Sequence, residues 1–384
     1  MSGGEIPRGA AIAIDDLLDH CAEIKAGQEV VLLAHIDGTC GGDNLVDPQV
    51  ISWLQAAVQH RGAHASVLWI DEPAKPHAWR IPPVYIAALA ASDVFISHSF
   101  DLTTEEFYAI RETAVEHHVT LVRNFATTPS LLNTAWAQTP YELVSQIRYQ
   151  VATVFQVGLP FQLTHENGTH LEGTIAPRVG PGPATRAYTD WRKDGLSYRP
   201  FPEWVYPLIC VAETSGIFVF DRMHPWWGRY IGVPSVFNDP IRLTIEKDRV
   251  VKIEGKDEAN HLKDFLGFLE RRVGDSVYTF PSIHSGVHPQ AEVGAHQCPS
   301  PMYRRLIEQG HTRCFHGHIG RIAPTPHYPY YVHITADILD ATWRVGENLV
   351  LDRGRLTALG HPDVLAVAAK YPGRPGVNPE PRHD

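Results

Sequence analysis

Along the first 125 residues, short apolar runs alternate with segments whose apolar residues recur at helical spacing. The apolar runs are 30–34, 65–70, 93–97 and 119–122. The helical segments are 11–26, 48–59, 83–91 and 103–118. Short runs that are apolar throughout are typical of strands buried on both faces, so this alternation predicts a parallel sheet covered by helices.

From Phe161 onward the pattern is rich in strands, with turn residues at short intervals. Apolar or alternating runs at 217–220, 241–245 and 250–253 predict strands, and an amphipathic helix follows Gly255. We therefore predict an α/β N-terminal domain with a parallel sheet, followed by an α+β, strand-rich C-terminal domain.

The predicted domain boundaries lie where the pattern changes. The α/β domain is expected to span 1–158 and the β-rich domain 159–370, and the Pro/Gly-rich stretch 371–384 is expected to be a flexible tail. A chain of 384 residues with 44% hydrophobic content is long enough for two domains of ordinary size.

Composition narrows the expected partners and location. The net charge of −10 and the lack of a basic run argue against nucleic-acid binding. No apolar run approaches the roughly 18 residues of a membrane span, and the N-terminus lacks the pattern of a signal peptide. The five cysteines are scattered and form no CxxC pair, as in a reducing compartment. We expect a cytoplasmic protein with no membrane partner.

The strongest chemical signal is a group of potential metal ligands near the C-terminus: His316, His318, His333 and Asp337. On a strand, His316 and His318 would share one face, and the spacing of His333 and Asp337 puts both on one face in either a strand or a helix. Histidine and carboxylate ligands bind Fe(II) in oxygenases, and zinc accepts the same set. Alternatively, the cluster is incidental, since the chain contains 22 histidines.

Other candidates follow the predicted strands of the parallel sheet, where ligands bind in such folds. This rule selects His35 and Asp37 after the first strand and His98 after the third. His98 is predicted to be catalytic and to move a proton. Each of these residues could instead cap a helix or be satisfied within a loop.

A carboxylate lies beside an imidazole at His165 and Glu166, a pair suited to relaying a proton or orienting a hydroxylated substrate. We predict that both are catalytic. The alternative is a hairpin turn at Asn167-Gly168 with exposed flanks.

Three further residues are predicted to bind substrate: Glu203, His224 and Trp227. Glu203 could be a general base or a ligand, or only an acid at the boundary of a helix or strand. An aromatic patch at His224 and Trp227 can hold a planar ring, but adjacent tryptophans also serve interior or oligomer packing.

Several segments occur in an order that resembles the aminopeptidase T group of metallopeptidases and 2,5-dihydroxypyridine 5,6-dioxygenase, an iron enzyme on the same scaffold. They are the stretch 239–259, the turn 166–171 and Pro202-Glu203 before the strand at 217–219. Within this resemblance Glu203 is similar to the first metal-binding glutamate of the peptidases. The second falls near Phe315, which cannot bind a metal, and this departure disfavours a two-metal peptidase.

Resemblance to the dioxygenase implies one iron, held by two histidines and an aspartate. His318 and His333 match the two histidines, but Thr335 stands where the aspartate is expected. Asp337 or His316 would then supply the third ligand.

The expected function is a single-metal Fe(II) oxygenase that acts with O₂ on a small polar aromatic or N-heteroaromatic substrate. Zinc or another divalent ion is the alternative metal. A metallohydrolase with Glu203 as its base and a catalytically silent protein are the alternative functions. The resemblance also implies a homodimer.

Overall fold

A computed structural model of the chain describes residues 6–36, 45–71, 81–98, 108–177, 195–203, 205, 208–322 and 332–378. Asp37, which the strand-end rule selected, lies outside these residues. Two β-sheets organise the described part of the chain.

The first sheet has five strands, all parallel. In spatial order they are β2 His64–Ile70, β1 Glu29–His35, β3 Val94–His98, β4 Thr120–Asn124 and β7 Ser197–Phe201. The four predicted runs are all present as strands. The order reverses between β1 and β3, and this topological switch point is where such sheets bind ligands.

Helices cover both faces of this sheet. They are α1 Arg8–Asp15, which continues as a π-helical segment Asp16–Cys21, then α2 Pro48–His60, α3 Pro83–Ala90, α4 Tyr108–Glu116, α5 Pro129–Leu132, α6 Ala135–Gln138 and α7 Tyr141–Thr153. Along β1, Val30 and Leu32 pack in one hydrophobic cluster with α1 and α2, whereas Val31 and Leu33 pack in another with α3 and α4. Burial on both faces explains why the strand is apolar at successive positions.

The second sheet has eleven strands, and its strand pairs are antiparallel. In spatial order they are β11 Ser282–Ser285, β12 Cys314–Ile322, β13 Val332–Leu339, β8 Ile209–Met223, β6 His170–Ile175, β5 Pro160–Thr164, β14 Thr342–Val345, β15 Asn348–Asp352 and β16 Arg355–Leu356, with β9 Val236–Glu246 and β10 Arg249–Glu254 branching from β8. The predicted fold class, a parallel α/β part and a strand-rich part, is confirmed.

Among its described residues, the second part also contains four α-helices and two short 3₁₀ segments. They are α8 Pro225–Ile231, α9 Asp257–Val273, α10 Pro301–Gln309, α11 Pro362–Ala369, and the segments Asp275–Tyr278 and Thr357–Gly360. Helix α9 is the predicted amphipathic helix, and its apolar stripe is buried. Within the described ranges, no helix is both long and apolar enough to span a bilayer.

The predicted boundary at residue 158 does not separate the two sheets. Strand β7 lies in the segment assigned to the β-rich domain, yet it pairs with β4 at the edge of the parallel sheet. Its sequence, Ser197-Tyr198-Arg199-Pro200-Phe201, lacks a continuous apolar run because an edge strand is covered less fully.

Residues 371–378, assigned to the predicted flexible tail, make defined contacts with the folded core. Arg374 lies 3.0 Å from the buried carboxylate of Asp16, and the Tyr371 hydroxyl donates to Glu142. The Gln290 side chain donates to the backbone carbonyl of Gly376. This stretch therefore packs with the rest of the protein.

Candidate metal centre

The predicted ligands on β12 and β13 lie on one face of the antiparallel sheet. The register places His316 opposite Asp337 and His318 opposite Thr335. Because residues two apart on a strand face the same side, His333 shares this face. The ring centroids of His318 and His333 are 5.6 Å apart.

The opposite face of these strands belongs to the hydrophobic core. Gly317, between the two histidines of β12, lies so close to Phe280 and Phe218 that an added Cβ would approach their rings to 2.8 and 2.9 Å. A one-residue slip of the strand would turn both histidines into this apolar layer. The core therefore fixes which face carries the imidazoles.

One histidine of the cluster was not predicted as a ligand. His284 lies on β11 directly opposite His316. Its ring centroid is 4.7 Å from that of His316 and 4.8 Å from that of His318. The side chain is buried. It therefore joins β12 and β13 in a row of imidazoles across three strands.

His318 has the hydrogen-bonding pattern of a neutral ring. Its Nδ1 lies 3.1 Å from the backbone carbonyl oxygen of Ser282, which can only accept, so Nδ1 carries the proton and Nε2 the lone pair. Burial, together with nearby His284, His333 and His316, holds the pKa of His318 well below its usual value. A neutral imidazole oriented by a carbonyl is the form in which histidine binds metals.

His316 has the opposite pattern. Its Nε2 lies 2.9 Å from the carbonyl oxygen of Gln309 and its Nδ1 lies 2.9 Å from Oδ1 of Asp337. Nε2 donates to the carbonyl, and the carboxylate at ion-pair distance from Nδ1 favours the imidazolium form of the ring. Burial lowers its pKa, but the interactions with Cys314 and Asp337 outweigh burial and raise the pKa to about 10.

Cys314, His316 and Asp337 form a second group that could hold a metal ion. Their ligand-type atoms all lie within 4.8 Å of one another, and all three side chains are buried. Asp337 already accepts from Arg305 at 2.9 Å and from the Gln309 amide. A metal ion here would therefore compete with two protein cations, the guanidinium and the imidazolium.

Helix α10 supplies these partners of Asp337. Arg305 and Gln309 are four residues apart and therefore lie on the same face of the helix. Arg305 also lies 2.8 Å from Glu308, which in turn lies 2.8 Å from Arg222 on β8. This ionic network ties α10 to the histidine-bearing face of the sheet.

The parallel sheet contributes two buried histidines at its switch point. His35 ends β1 and His98 ends β3, on neighbouring strands. Nδ1 of His98 donates to the Leu33 carbonyl at 2.9 Å, and within the described residues its Nε2 has no hydrogen-bond partner. Burial lowers the pKa of His98 to about 4, so its ring is neutral.

His224 connects the two sheets electrostatically. Burial and the positive charge of Arg123, on β4, are the main causes that hold its pKa well below the usual value, and His333 and His316 add to them. Nδ1 of His224 accepts from the Trp226 amide at 3.2 Å, so a neutral ring keeps its proton on Nε2. The histidine row and the C-terminal edge of the parallel sheet thus lie close enough to influence the same residue.

Trp227 lies beside one of the predicted ligands. Its ring is 6.4 Å from the ring of His333, 4.6 Å from Trp226 and 6.2 Å from Phe265, measured between centroids. Because it is 3% exposed, it packs in the interior, as one of the two sequence-based alternatives predicted.

His165 and Glu166 lie in the turn between β5 and β6. His165 Nδ1 accepts from the Asn167 amide at 3.1 Å, and Glu166 is exposed. This is the hairpin turn that Asn167-Gly168 predicted as the alternative. No described contact joins the pair to the histidine row, and their catalytic role stays a prediction.

Glu203 lies just past β7 and is buried. Its carboxylate is 3.0 Å from the Arg148 guanidinium on α7. Burial raises the pKa of the nearby Cys21 and Tyr141 side chains, and the negative charge of Glu203 raises both further. The pair holds α7 against the end of β7. A role for Glu203 as base or ligand stays a prediction.

The two-sheet fold is that of a dioxygenase-like protein. A solved structure with this fold is 2,5-dihydroxypyridine dioxygenase from Pseudomonas putida KT2440, with a TM-score of 0.64 and 14% identity over 93% of this chain and 98% of that chain. At this identity the likeness shows the fold alone.

Another solved structure, L-threonine transaldolase from Pseudomonas fluorescens, has a TM-score of 0.20 at 20% identity over 33% of this chain and 26% of that one, and carries no argument. The sequence matches no protein-family model and no curated protein significantly. The dioxygenase part of the sequence resemblance is thus supported as a fold, and the peptidase part stays a prediction.

Proposed function

We propose that this protein is a mononuclear non-haem Fe(II) oxygenase that acts with O₂ on a small polar aromatic or N-heteroaromatic substrate. The observation that carries the proposal is the neutral, oriented imidazole of His318 beside His333, on a fold shared with a dioxygenase. Zinc accepts the same ligands, so the metal is part of the test.

The arrangement of the rings fits a bound cation. Two imidazoles that bind one metal at about 2.1 Å place their ring centroids roughly 4.5 to 5.5 Å apart. His318 and His333 have a centroid distance of 5.6 Å, close to this range. The lone pair on Nε2 of His318 satisfies the chemical requirement for a ligand.

We place the metal at this pair and not at Cys314, His316 and Asp337. In the latter group the His316 imidazolium has no lone pair to offer, and Asp337 is already bound by Arg305. Binding there would require a proton to leave His316 and a buried ion pair to break, which costs several kcal/mol.

Fe(II) bound here would supply open positions at which O₂ and a chelating substrate are held together. Trp227 packs against Trp226 and Phe265 and makes the surroundings of His333 apolar. His224 is buried and carries its proton on Nε2. The charges of Arg123 and the His316 imidazolium favour the anionic form of a hydroxylated ring.

His98 was predicted to move a proton. With a pKa of about 4 it is a weak base, so the role we propose is narrower. Its Nε2 carries the lone pair, because Nδ1 donates to Leu33, and it can orient a substrate hydroxyl by accepting its hydrogen bond.

The test combines metal content with O₂ consumption. Protein purified without O₂ and reconstituted with Fe(II) should contain stoichiometric iron and consume O₂ with 2,5-dihydroxypyridine or a related hydroxylated N-heterocycle. His318→Ala and His333→Ala should lose both properties. His261→Ala, on the exposed side of α9, is the matched control and should keep them.

Two results would contradict the proposal. If the wild-type protein binds no stoichiometric iron, the proposed metal centre is wrong. If the protein binds stoichiometric metal and cleaves amides without O₂, it is a metal-dependent hydrolase and not an oxygenase.

A further inference from the structure

A cavity of about 550 Å³ lies at the end of the β12–β13 pair that is farther from His333. Arg313, which directly precedes β12, and Asp340, which directly follows β13, both line it. A strand rises about 3.3 Å per residue, so roughly 15 Å separate Arg313 from His318. We infer that this cavity is a second binding site, and that it takes an organic carboxylate with one acidic group and an apolar body. The inference goes beyond the proposed oxygenase and does not depend on a metal.

One side of the cavity is a closed ion pair. Nε of Arg313 donates to Oδ1 of Asp340 at 2.7 Å, and a second guanidinium nitrogen donates to Oδ2. The fork of the guanidinium and the carboxylate match each other in this pair. Arg313 therefore spends its charge on Asp340 and adds little attraction for a ligand.

The turn between β15 and β16 is fixed against this ion pair. Gly354, in the turn, donates from its N–H to the carbonyl of Ala341 at 3.0 Å and has a positive φ of 78°. Its backbone lies so close to the Asp340 carboxylate that a Cβ would have no room there. The two neighbours of Gly354, Arg353 and Arg355, are thereby held at the cavity, and both line it.

These two arginines give the cavity a surplus of positive charge, in a chain whose net charge is −10. Arg353 is 85% exposed and lies 3.6 Å from Asp352. Arg355 is exposed and, within the described residues, forms no ion pair. The guanidinium of Arg355 is therefore the cation that a ligand can engage.

An apolar wall faces the arginines. It is formed by Leu359, by Leu365 on α11 and by Val377 from the C-terminal stretch. Leu365 is 46% exposed, although it is a large apolar side chain, and a ligand that covers it would remove apolar surface from water. The Gln290 side chain donates to the Gly376 carbonyl at 2.8 Å and so holds the part of the wall that carries Val377.

The combination selects the class of ligand. A guanidinium fork accepts either a carboxylate or a phosphate. The carboxylate of Asp340 opposes a second negative charge in the same cavity, which favours a monoanion. The apolar wall favours a hydrocarbon body over the oxygens of an inorganic anion. An aromatic carboxylate satisfies all three conditions.

The test is a calorimetric titration of metal-free full-length protein with 2-naphthoate. Arg355→Ala should weaken binding by about tenfold, because a hydrogen-bonded charge is lost. Gly360 lines the cavity, and an added Cβ there meets no atom within 4 Å, so Gly360→Phe should place a ring in the cavity and abolish binding. Arg271→Ala, which removes an exposed arginine of α9, is the control and should bind as wild type.

A second comparison uses the wild-type protein alone and does not depend on the folding of a variant. The neutral 2-naphthamide and inorganic phosphate should each bind at least about tenfold more weakly than 2-naphthoate. Equal affinity for either probe would overturn the inference, since the charge or the apolar body would then contribute nothing.

The location of the site has its own control. His318→Ala should bind 2-naphthoate as wild type does. Loss of binding in His318→Ala but not in Arg355→Ala would place the ligand at the histidine row and overturn the inference, as would a wild-type protein that does not bind 2-naphthoate. Failure to bind 2-naphthoate would leave the proposed metal centre untouched, because that centre is tested by its iron content and O₂ consumption.

Discussion

His316 and His318 lie two residues apart on β12 and face the same side of the sheet, but their nitrogens meet different partners. His316 lies between a carbonyl and a carboxylate and is held as a cation. His318 meets one carbonyl, from Ser282, and stays neutral with a lone pair available. The comparison shows that the acceptors around a histidine, more than its place in a motif, set the charge of its ring, and only a neutral ring has a lone pair for a metal.

The largest effect should come from removing the carboxylate that makes His316 a cation. Asp337→Ala leaves the charges of Arg305 and His316 buried without their partner, and we expect the free energy of unfolding to fall by about 3 to 5 kcal/mol. Urea denaturation measures this change. Asp15→Ala, which breaks an exposed ion pair with Arg61, is the control and should cost less than about 1 kcal/mol. Equal losses in the two variants would refute the buried network.

Replacing His318 should mainly weaken metal binding, whereas replacing His316 should mainly lower the free energy of unfolding. His318→Ala should weaken Co(II) binding by more than about 100-fold, whereas His316→Ala should change it by less than about tenfold. His316→Ala should instead reduce the free energy of unfolding by about 2 kcal/mol or more, since Asp337 loses a partner. If His316→Ala abolishes metal binding in a folded protein, the metal lies at the Cys314 group.

The glycine between the two histidines offers a milder way to disturb both. Gly317→Ala would push a methyl group against Phe280 and Phe218, and overpacking of this kind costs about 1 to 3 kcal/mol. Thermal unfolding and Co(II) affinity should decline together, because β12 carries His316 and His318. The half-buried helical Gly267→Ala, where an added Cβ meets only the Arg271 guanidinium at 3.7 Å, should be neutral or stabilising. Unchanged stability in Gly317→Ala would show that Phe280 and Phe218 can shift to accept the added methyl group.

The smallest effect concerns pH and extends the comparison to His98. Its pKa is about 4 in the folded protein, below the usual 6.5, so the unfolded chain binds more protons between these values. Its contribution to stability is therefore lost as the pH falls below 6.5, by up to about 1.4 kcal/mol per pH unit. His316, with a raised pKa of about 10, contributes in the opposite sense: its stabilisation is complete below pH 6.5 and is lost as the pH rises toward 10.

Unfolding curves at pH 7, 6 and 5 check the His98 contribution. The difference in free energy of unfolding between wild type and His98→Gln should shift in favour of the variant as the pH falls. His261→Ala, which removes an exposed histidine, should leave the pH dependence of wild type unchanged. A parallel pH dependence of His98→Gln and wild type would contradict a buried neutral ring.

Local patterns were enough to predict part of this architecture. The apolar runs predict four of the five parallel strands, because strands buried on both faces need such runs. The period of two places His316 and His318 on one face. The Asn167-Gly168 pair predicts the hairpin turn, because glycine there adopts a positive φ of 96°.

Features that depend on distant contacts were not predictable in this way. His284 lies on a four-residue strand in a stretch rich in Pro, Gly and Ser, and only its pairing with β12 brings it to His316. Strand β7 is polar and lies at an edge, so it lacks an apolar signal. The charge of His316 depends on Gln309 and Asp337, whose approach needs the packing of α10.

The return of β7 to the parallel sheet bears on how the protein is made on the ribosome. The first sheet gains its fifth strand only after β5 and β6 of the second sheet have been synthesised, and Asp16 gains its partner Arg374 near the end of the chain. A nascent chain released at residue 158 would lack the edge strand β7, and the buried carboxylate of Asp16 would lack its guanidinium partner. The parallel sheet is therefore completed only while the strands of the second sheet are being synthesised, and Asp16 gains its guanidinium partner after the last of them.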